Sequence, residues 1–216
     1  MNTLQTPFPF RTVPPYETWY AECQEKFDTA NIRTRNKMLF RAVMFAGHSA
    51  NNRVALCESD YSAWVVSDYS RKYRPAFCPN RWEDLFRSAD EYISGLDDDW
   101  YARNKWELVN DLACNIKGLG AVKASFALAL VGYNVACLDT HALQMAGYSI
   151  EDAQYIYGRT NPKRYRDAID TYSAYHDAIF PDDARREQWA FFARDEPTFS
   201  ATGHKCYFLS QGINCG

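Results

Sequence analysis

Apolar residues recur along this chain at three- and four-residue intervals, the period of helices that bury one face. Thr34 to Ala46 places Met38, Leu39, Ala42, Val43 and Phe45 on one stripe, with Thr34 available as an N-cap. Asn80 to Ser94 repeats the pattern through Trp82, Leu85, Phe86, Ala89 and Ile93, with Asn80 as the cap and Gly95 as the stop. Asp97 to Asp99 provide a negative start for a helix running through Tyr101, Trp106, Val109 and Leu112. After Gly118 and Gly120 comes the most apolar helix, Ala121 to Val131, ended by Gly132. Thr140 to Met145 starts another, and Ser149, Pro162 and Asp182 mark helices over 151–157, 163–179 and 183–194. Only residues 135–138, Val-Ala-Cys-Leu, read as extended, too short to make a sheet. The predicted class is all-α.

Composition agrees with a packed core. The chain has 216 residues, 47% hydrophobic and 16% aromatic, with only 10 Gly and 9 Pro, which excludes disorder, collagen-like repeats and coiled coil. No apolar run approaches the ~18 residues of a membrane span, and the first residues carry no basic segment followed by an apolar one. These features predict an intracellular protein, cytoplasmic or nucleoid-associated, with no membrane partner. Seven cysteines at scattered spacings, none in a CxxC pair, argue against a disulfide framework, a zinc ribbon or a redox dithiol.

The net charge of −3 is unevenly spread. Residues 31–87 carry ten Lys/Arg against five acids, leaving the remainder strongly acidic. That asymmetry permits a basic face on an acidic body, and equally a set of solvated helix faces.

One segment departs from the run of amphipathic helices. Ile116-Lys-Gly-Leu-Gly-Ala-Val-Lys-Ala124 joins two helices through a G-x-G turn and leads to Leu138-Asp139-Thr140-His141. A helix that restarts directly after such a turn exposes amide N–H groups, and two glycines let a phosphate approach them. Lys117 and Lys123 flank the turn and add positive charge there. By itself the turn also reads as a simple αα connection with a glycine cap.

With the helix at 104–115, the turn at 116–120, Ala124, the apolar helix to Gly132-Tyr133 and Asp139 at a fixed distance beyond, the sequence resembles the helix-hairpin-helix DNA glycosylase superfamily, which includes endonuclease III, adenine glycosylase and archaeal oxoguanine glycosylases. Residues 38–48 resemble the family's first barrel helix, and the helical match extends over 34–145. The resemblance implies a bilobal helical fold with DNA in the cleft. One lobe would span 34–135, with the helix-hairpin-helix at 104–132, and the other would combine 1–33 with 136–216. The implied partner is double-stranded DNA with one flipped nucleotide, bound by a monomer.

The resemblance further implies that Lys117, Gly118, Leu119, Gly120, Ala121 and Lys123 contact DNA and that Asp139 is the catalytic carboxylate. His48, Asn51 and His141 would lie around the base pocket. An alternative for Asp139 is an N-cap of the helix at 140–145, and for His48 a helix C-cap beside Gly47.

Two departures narrow the chemistry. Bifunctional members place a Schiff-base lysine two residues after the second hairpin glycine, where this chain has Val122. Lys123 is one residue away and turned by roughly 100° about the helix. Endonuclease III-like members hold an iron–sulfur cluster on four closely spaced cysteines, whereas the C-terminal tail here has Cys206 and Cys215, with His204 nearby. No cofactor is therefore expected. Three functions remain open at this stage: a monofunctional DNA glycosylase; a transferase of the viral type that adds an amino acid or amine to a phosphorylated hydroxymethyl pyrimidine in DNA; and a non-catalytic DNA-binding module.

Overall fold

The structure, a computed structural model, describes residues 24–48, 60–61, 63–75 and 78–184. The protein is all-α, and no strand occurs among the described residues. In chain order the helices with established bounds are α1 (Ile32–His48), α2 (Pro79–Ile93), α3 (Asp98–Tyr101), α4 (Lys105–Asn115), α5 (Ala121–Leu130), α6 (Thr140–Met145), α7 (Ile150–Arg159) and α8 (Ala168–Ile179), and residues 24–29 and 63–66 are helical as well.

Helix α5 is apolar all round and occupies the centre: every residue except Lys123 is buried. Helix α1 packs against both α5 and α2, α4 packs against α5, α8 against α4, and α6 against α7. The five residues expected to form the α1 stripe are all buried, and α1 closes with Gly47 and His48 buried as well. Gly47 permits the close approach of α2, because a Cβ at that position would stand 2.5 Å from Leu85 Cδ2. Trp64 and Trp82 meet edge to face at 5.3 Å, and Trp64 also contacts Phe40, Tyr61, Tyr69 and Phe86. Much of the aromatic content is thus core.

Several boundaries differ from the sequence expectation, each for a local reason. Helix α1 begins two residues before Thr34, because the Asn31 side chain accepts the Thr34 amide at 3.0 Å and so provides the cap. Cys78, in left-handed conformation, precedes Pro79 at the start of α2, displacing Asn80 from the cap position. The single helix expected from Asp97 is broken into α3 and α4, since Asn104 accepts the Trp106 amide at 2.8 Å and starts a new helix. Asp97 itself caps α3, as its position predicts. Residues 163–167 form turns instead of the first part of a long helix. There the Asn161 carbonyl accepts the amides of Arg164 and Tyr165, while its side chain accepts that of Lys163. Only the beginning of the helix expected at 183–194 lies within the described residues.

Candidate nucleic-acid interface

The hairpin is built by one positive φ and one buried leucine. Helix α4 ends at Asn115, Ile116 turns the chain out in extended conformation, and Gly118 takes φ +81°. Leu119, 2% exposed, plugs the turn into the core, and its amide donates to the Ile116 carbonyl at 3.3 Å. Gly120 then occupies the N-cap of α5 with φ −114° and ψ 175° and offers no side-chain oxygen to the first amides of that helix. The Ala121 and Val122 amides thus lack the side-chain cap that Asp97, Asn104 and Ser149 give their helices, while the Lys123 amide donates to the Gly120 carbonyl at 3.1 Å.

The two glycines have different physical roles. Gly118 has open space around a built Cβ but sits where L side chains are strained, whereas Gly120 has both open space and an ordinary extended φ. Gly118→Ala is expected to lower stability by about 1 kcal/mol through backbone strain. Gly120→Ala is expected to leave the melting temperature unchanged. Thermal melts of both variants check this; equal melting temperatures would refute the strain at Gly118.

The two hairpin lysines part company. Lys117 Nζ lies 2.7 Å from Asp84 Oδ2 on α2, and its backbone amide donates to Ser88 Oγ at 2.9 Å. The Lys117 hydrogen bond holds the Asp84 carboxyl below its ordinary range. Lys123 instead borders a surface cavity of about 400 Å³ between the hairpin and residues 157–164. Arg81, Lys163 and Arg164 also line this cavity. Lys163 Nζ donates to the carbonyls of Ile116 at 2.8 Å and Leu119 at 3.4 Å, and burial lowers its pKa. Val122, which also borders this cavity, is 4% exposed.

Asp139 is the N-cap of α6: its Oδ1 accepts the Ala142 amide at 2.9 Å. Its other oxygen has no partner among the described residues, and the side chain is partly exposed. The cap thus fixes one oxygen and leaves the other open among the described residues. The extended residues leading to Asp139 have no partner strand among the described residues, and Ala136 and Leu138 take hydrogen bonds from α8. The Tyr172 hydroxyl donates to the Ala136 carbonyl at 2.8 Å and accepts the Leu138 amide at 3.0 Å. His176 Nε2 accepts the Ala136 amide at 2.9 Å, and its Nδ1 donates to Asp177 at 3.0 Å. Burial drives the His176 pKa down to about 4, overriding the raising effect of Asp177. Burial likewise pushes the Tyr172 phenol above its usual value.

His141 is exposed in the first turn of α6, two residues from the carboxylate. His48 is 5% exposed at the end of α1, stacked edge to face on Trp82, with Nε2 2.9 Å from Asp60 Oδ2. Tyr73 reaches the other Asp60 oxygen at 3.4 Å. Burial lowers the His48 pKa despite the carboxylate. Asn51 lies outside the described residues, as do His204, Cys206 and Cys215. Among the described residues no group of three or more His, Cys, Asp or Glu side chains is placed to hold a metal, and no helix is long and apolar enough to cross a membrane.

The hairpin, Lys123 and Asp139 were readable from motif and spacing. Lys163 and Arg164 were not, because nothing in Asn161-Pro162-Lys163-Arg164 announces a contact with a turn over forty residues earlier. Tyr172 and His176 carry a weak signal, two polar aromatics one helical turn apart on a face otherwise destined for the core. Comparison of the chain with protein-family models, curated proteins and solved structures finds no match.

Proposed function

We propose that the chain is a DNA base-flipping enzyme, a monofunctional DNA glycosylase that hydrolyses the N-glycosidic bond of a modified or mispaired base. The observation that carries this reading is Asp139, anchored by one oxygen to an α6 amide, its second oxygen without a partner among the described residues. A fixed, half-open carboxylate suits the stabilisation of positive charge developing at C1′ of a deoxyribose, or the deprotonation of an attacking water. The uncapped start of α5 beside the cation-lined cavity suits a phosphodiester backbone. Buried Val122 leaves no amine where the lyase nucleophile would be, which favours water over Schiff-base chemistry.

A second reading keeps the carboxylate and changes the bond: Asp139 takes the proton from an incoming amine, which bonds to the methylene of a phosphorylated hydroxymethyl pyrimidine as its C–O bond breaks and pyrophosphate leaves. The same missing lysine favours it, because neither reaction needs an enzyme amine.

Incubation of the purified protein with DNA carrying damaged, mismatched or hydroxymethylated pyrimidines, followed by mass spectrometry of free bases and nucleosides, tests both readings. A released free base supports the glycosylase. A base in an intact backbone that has exchanged its phosphorylated group for the supplied amine supports the transferase. DNA unchanged under both conditions overturns both.

A further inference from the structure

The hairpin is held from the far end of the sequence. Lys163 Nζ reaches 2.8 Å from the Ile116 carbonyl and 3.4 Å from the Leu119 carbonyl, the two oxygens bracketing the tightest part of the turn. Ile116 is the C-cap of α4, so the ammonium also meets the negative end of that helix.

The lysine has a rigid base. Asn161 closes a turn by accepting the Lys163 amide on its side chain and the Arg164 and Tyr165 amides on its carbonyl, at 2.9–3.1 Å. This turn projects two consecutive basic residues into the same cavity as Lys123. Lys163 is spent on the hairpin carbonyls, whereas the exposed Arg164 side chain has no hydrogen bond or ion pair among the described residues. None of the described residues lining the cavity is acidic. A guanidinium with five donors, unpaired among the described residues at the edge of a cavity of about 400 Å³ that also borders the start of α5, suits a phosphate diester better than a neutral ligand.

We propose that the Asn161–Arg164 turn is the second wall of the nucleic-acid interface: Lys163 is a positioning residue that sets the hairpin, and Arg164 is a direct contact to a backbone phosphate. This inference rests on the reading of the chain as a DNA-binding enzyme and assigns part of the binding to residues outside the helix-hairpin-helix segment. Both side chains act on the backbone, so their effects are the same on every DNA sequence.

The test is the affinity of the full chain for a fluorescently labelled duplex between about 50 and 200 mM salt, where each phosphate contact contributes about 0.9 to the slope of log affinity against log salt. Arg164→Ala is expected to reduce that slope by about 1, equally on unrelated duplex sequences. Lys163→Met is expected to weaken binding about tenfold, an effect the size of one charge-assisted hydrogen bond, and Lys163→Arg to restore most of it. Lys123→Ala, on the hairpin itself, separates the two levels of the argument. Wild-type protein that does not bind DNA overturns the functional reading together with this inference. Wild-type binding that is weakened by Lys123→Ala but unchanged in Arg164→Ala overturns the inference alone. Because Arg164 is exposed and unpaired, its removal leaves the fold intact, and its result decides the matter even if Lys163→Met fails to fold.

Discussion

Replacing Asp139 by Asn is expected to lower base release or base modification by at least about a hundredfold, the usual scale for losing a positioned acid–base or charge-stabilising group, while leaving the melting temperature unchanged. The separation follows from geometry. The cap is a hydrogen bond from the Ala142 amide to one side-chain oxygen at 2.9 Å, and Asn provides the same oxygen at the same position. Only the charge and the second acceptor oxygen are lost. Asp139→Ala removes the cap as well and is expected to cost about 1 kcal/mol of stability on top of the lost activity. Thermal melts and turnover measured side by side on both variants check the assignment. An Asn variant that keeps wild-type turnover would reduce Asp139 to a helix cap and overturn its catalytic role.

Lowering the pH is expected to destabilise the protein through His176. The ring is buried and neutral: Nδ1 donates to Asp177, and Nε2 accepts the Ala136 amide at 2.9 Å. A proton on Nε2 would set two donors face to face. Asp177 favours the charged ring and Lys105, 3.8 Å from Asp177, opposes it, but burial dominates and the folded-state pKa falls from 6.5 to about 4. Because the folded value lies below the unfolded one, the unfolded chain binds more protons between them. The contribution is therefore complete above pH 6.5 and is lost as the pH falls through about 4, amounting to about 3 kcal/mol.

The consequence reaches the carboxylate. Ala136 and Leu138, which His176 and Tyr172 hold, lead directly into Asp139. His176→Phe is expected to flatten the acid limb of the stability curve between pH 6.5 and 4 while lowering stability at neutral pH, since the Ala136 amide is left buried without an acceptor. Urea unfolding across that pH range checks it; an unchanged acid limb in the variant would show that another group carries the dependence.

Helix placement was legible because burial here follows a simple stripe. Met38, Leu39, Ala42, Val43 and Phe45 read as a core face and are one. The caps were less so, because several polar residues compete near each helix start. Thr34 and Asn80 yielded to Asn31 and to the Cys78-Pro79 pair, and Asn104 divided a helix that apolar periodicity alone runs straight through. Each outcome depends on which side chain reaches an amide, a matter of rotamer and approach that spacing does not encode.

The candidate site divides along the same line. The glycine turn is local chemistry: Gly118 is needed where φ is +81°, and Gly120 begins α5 without a side-chain cap, so the motif carries its own geometry. Asp139 is local in the same sense, since a carboxylate one residue before a short helix caps it. What spacing left undivided was the pair of lysines. Tertiary packing turned Lys117 to Asp84 and left Lys123 at the cavity.

By itself, the sequence determined that the chain is helical, where the central apolar helix lies and where the hairpin turns, because these rest on periodicity and on the conformational preferences of glycine. Only the tertiary structure decided that Lys163 grips that turn from 44 residues beyond Leu119, and that Tyr172 and His176 hold the approach to Asp139. Those contacts satisfy backbone groups that no helix or sheet pairs, and which distant side chain meets them is fixed by how the helices pack.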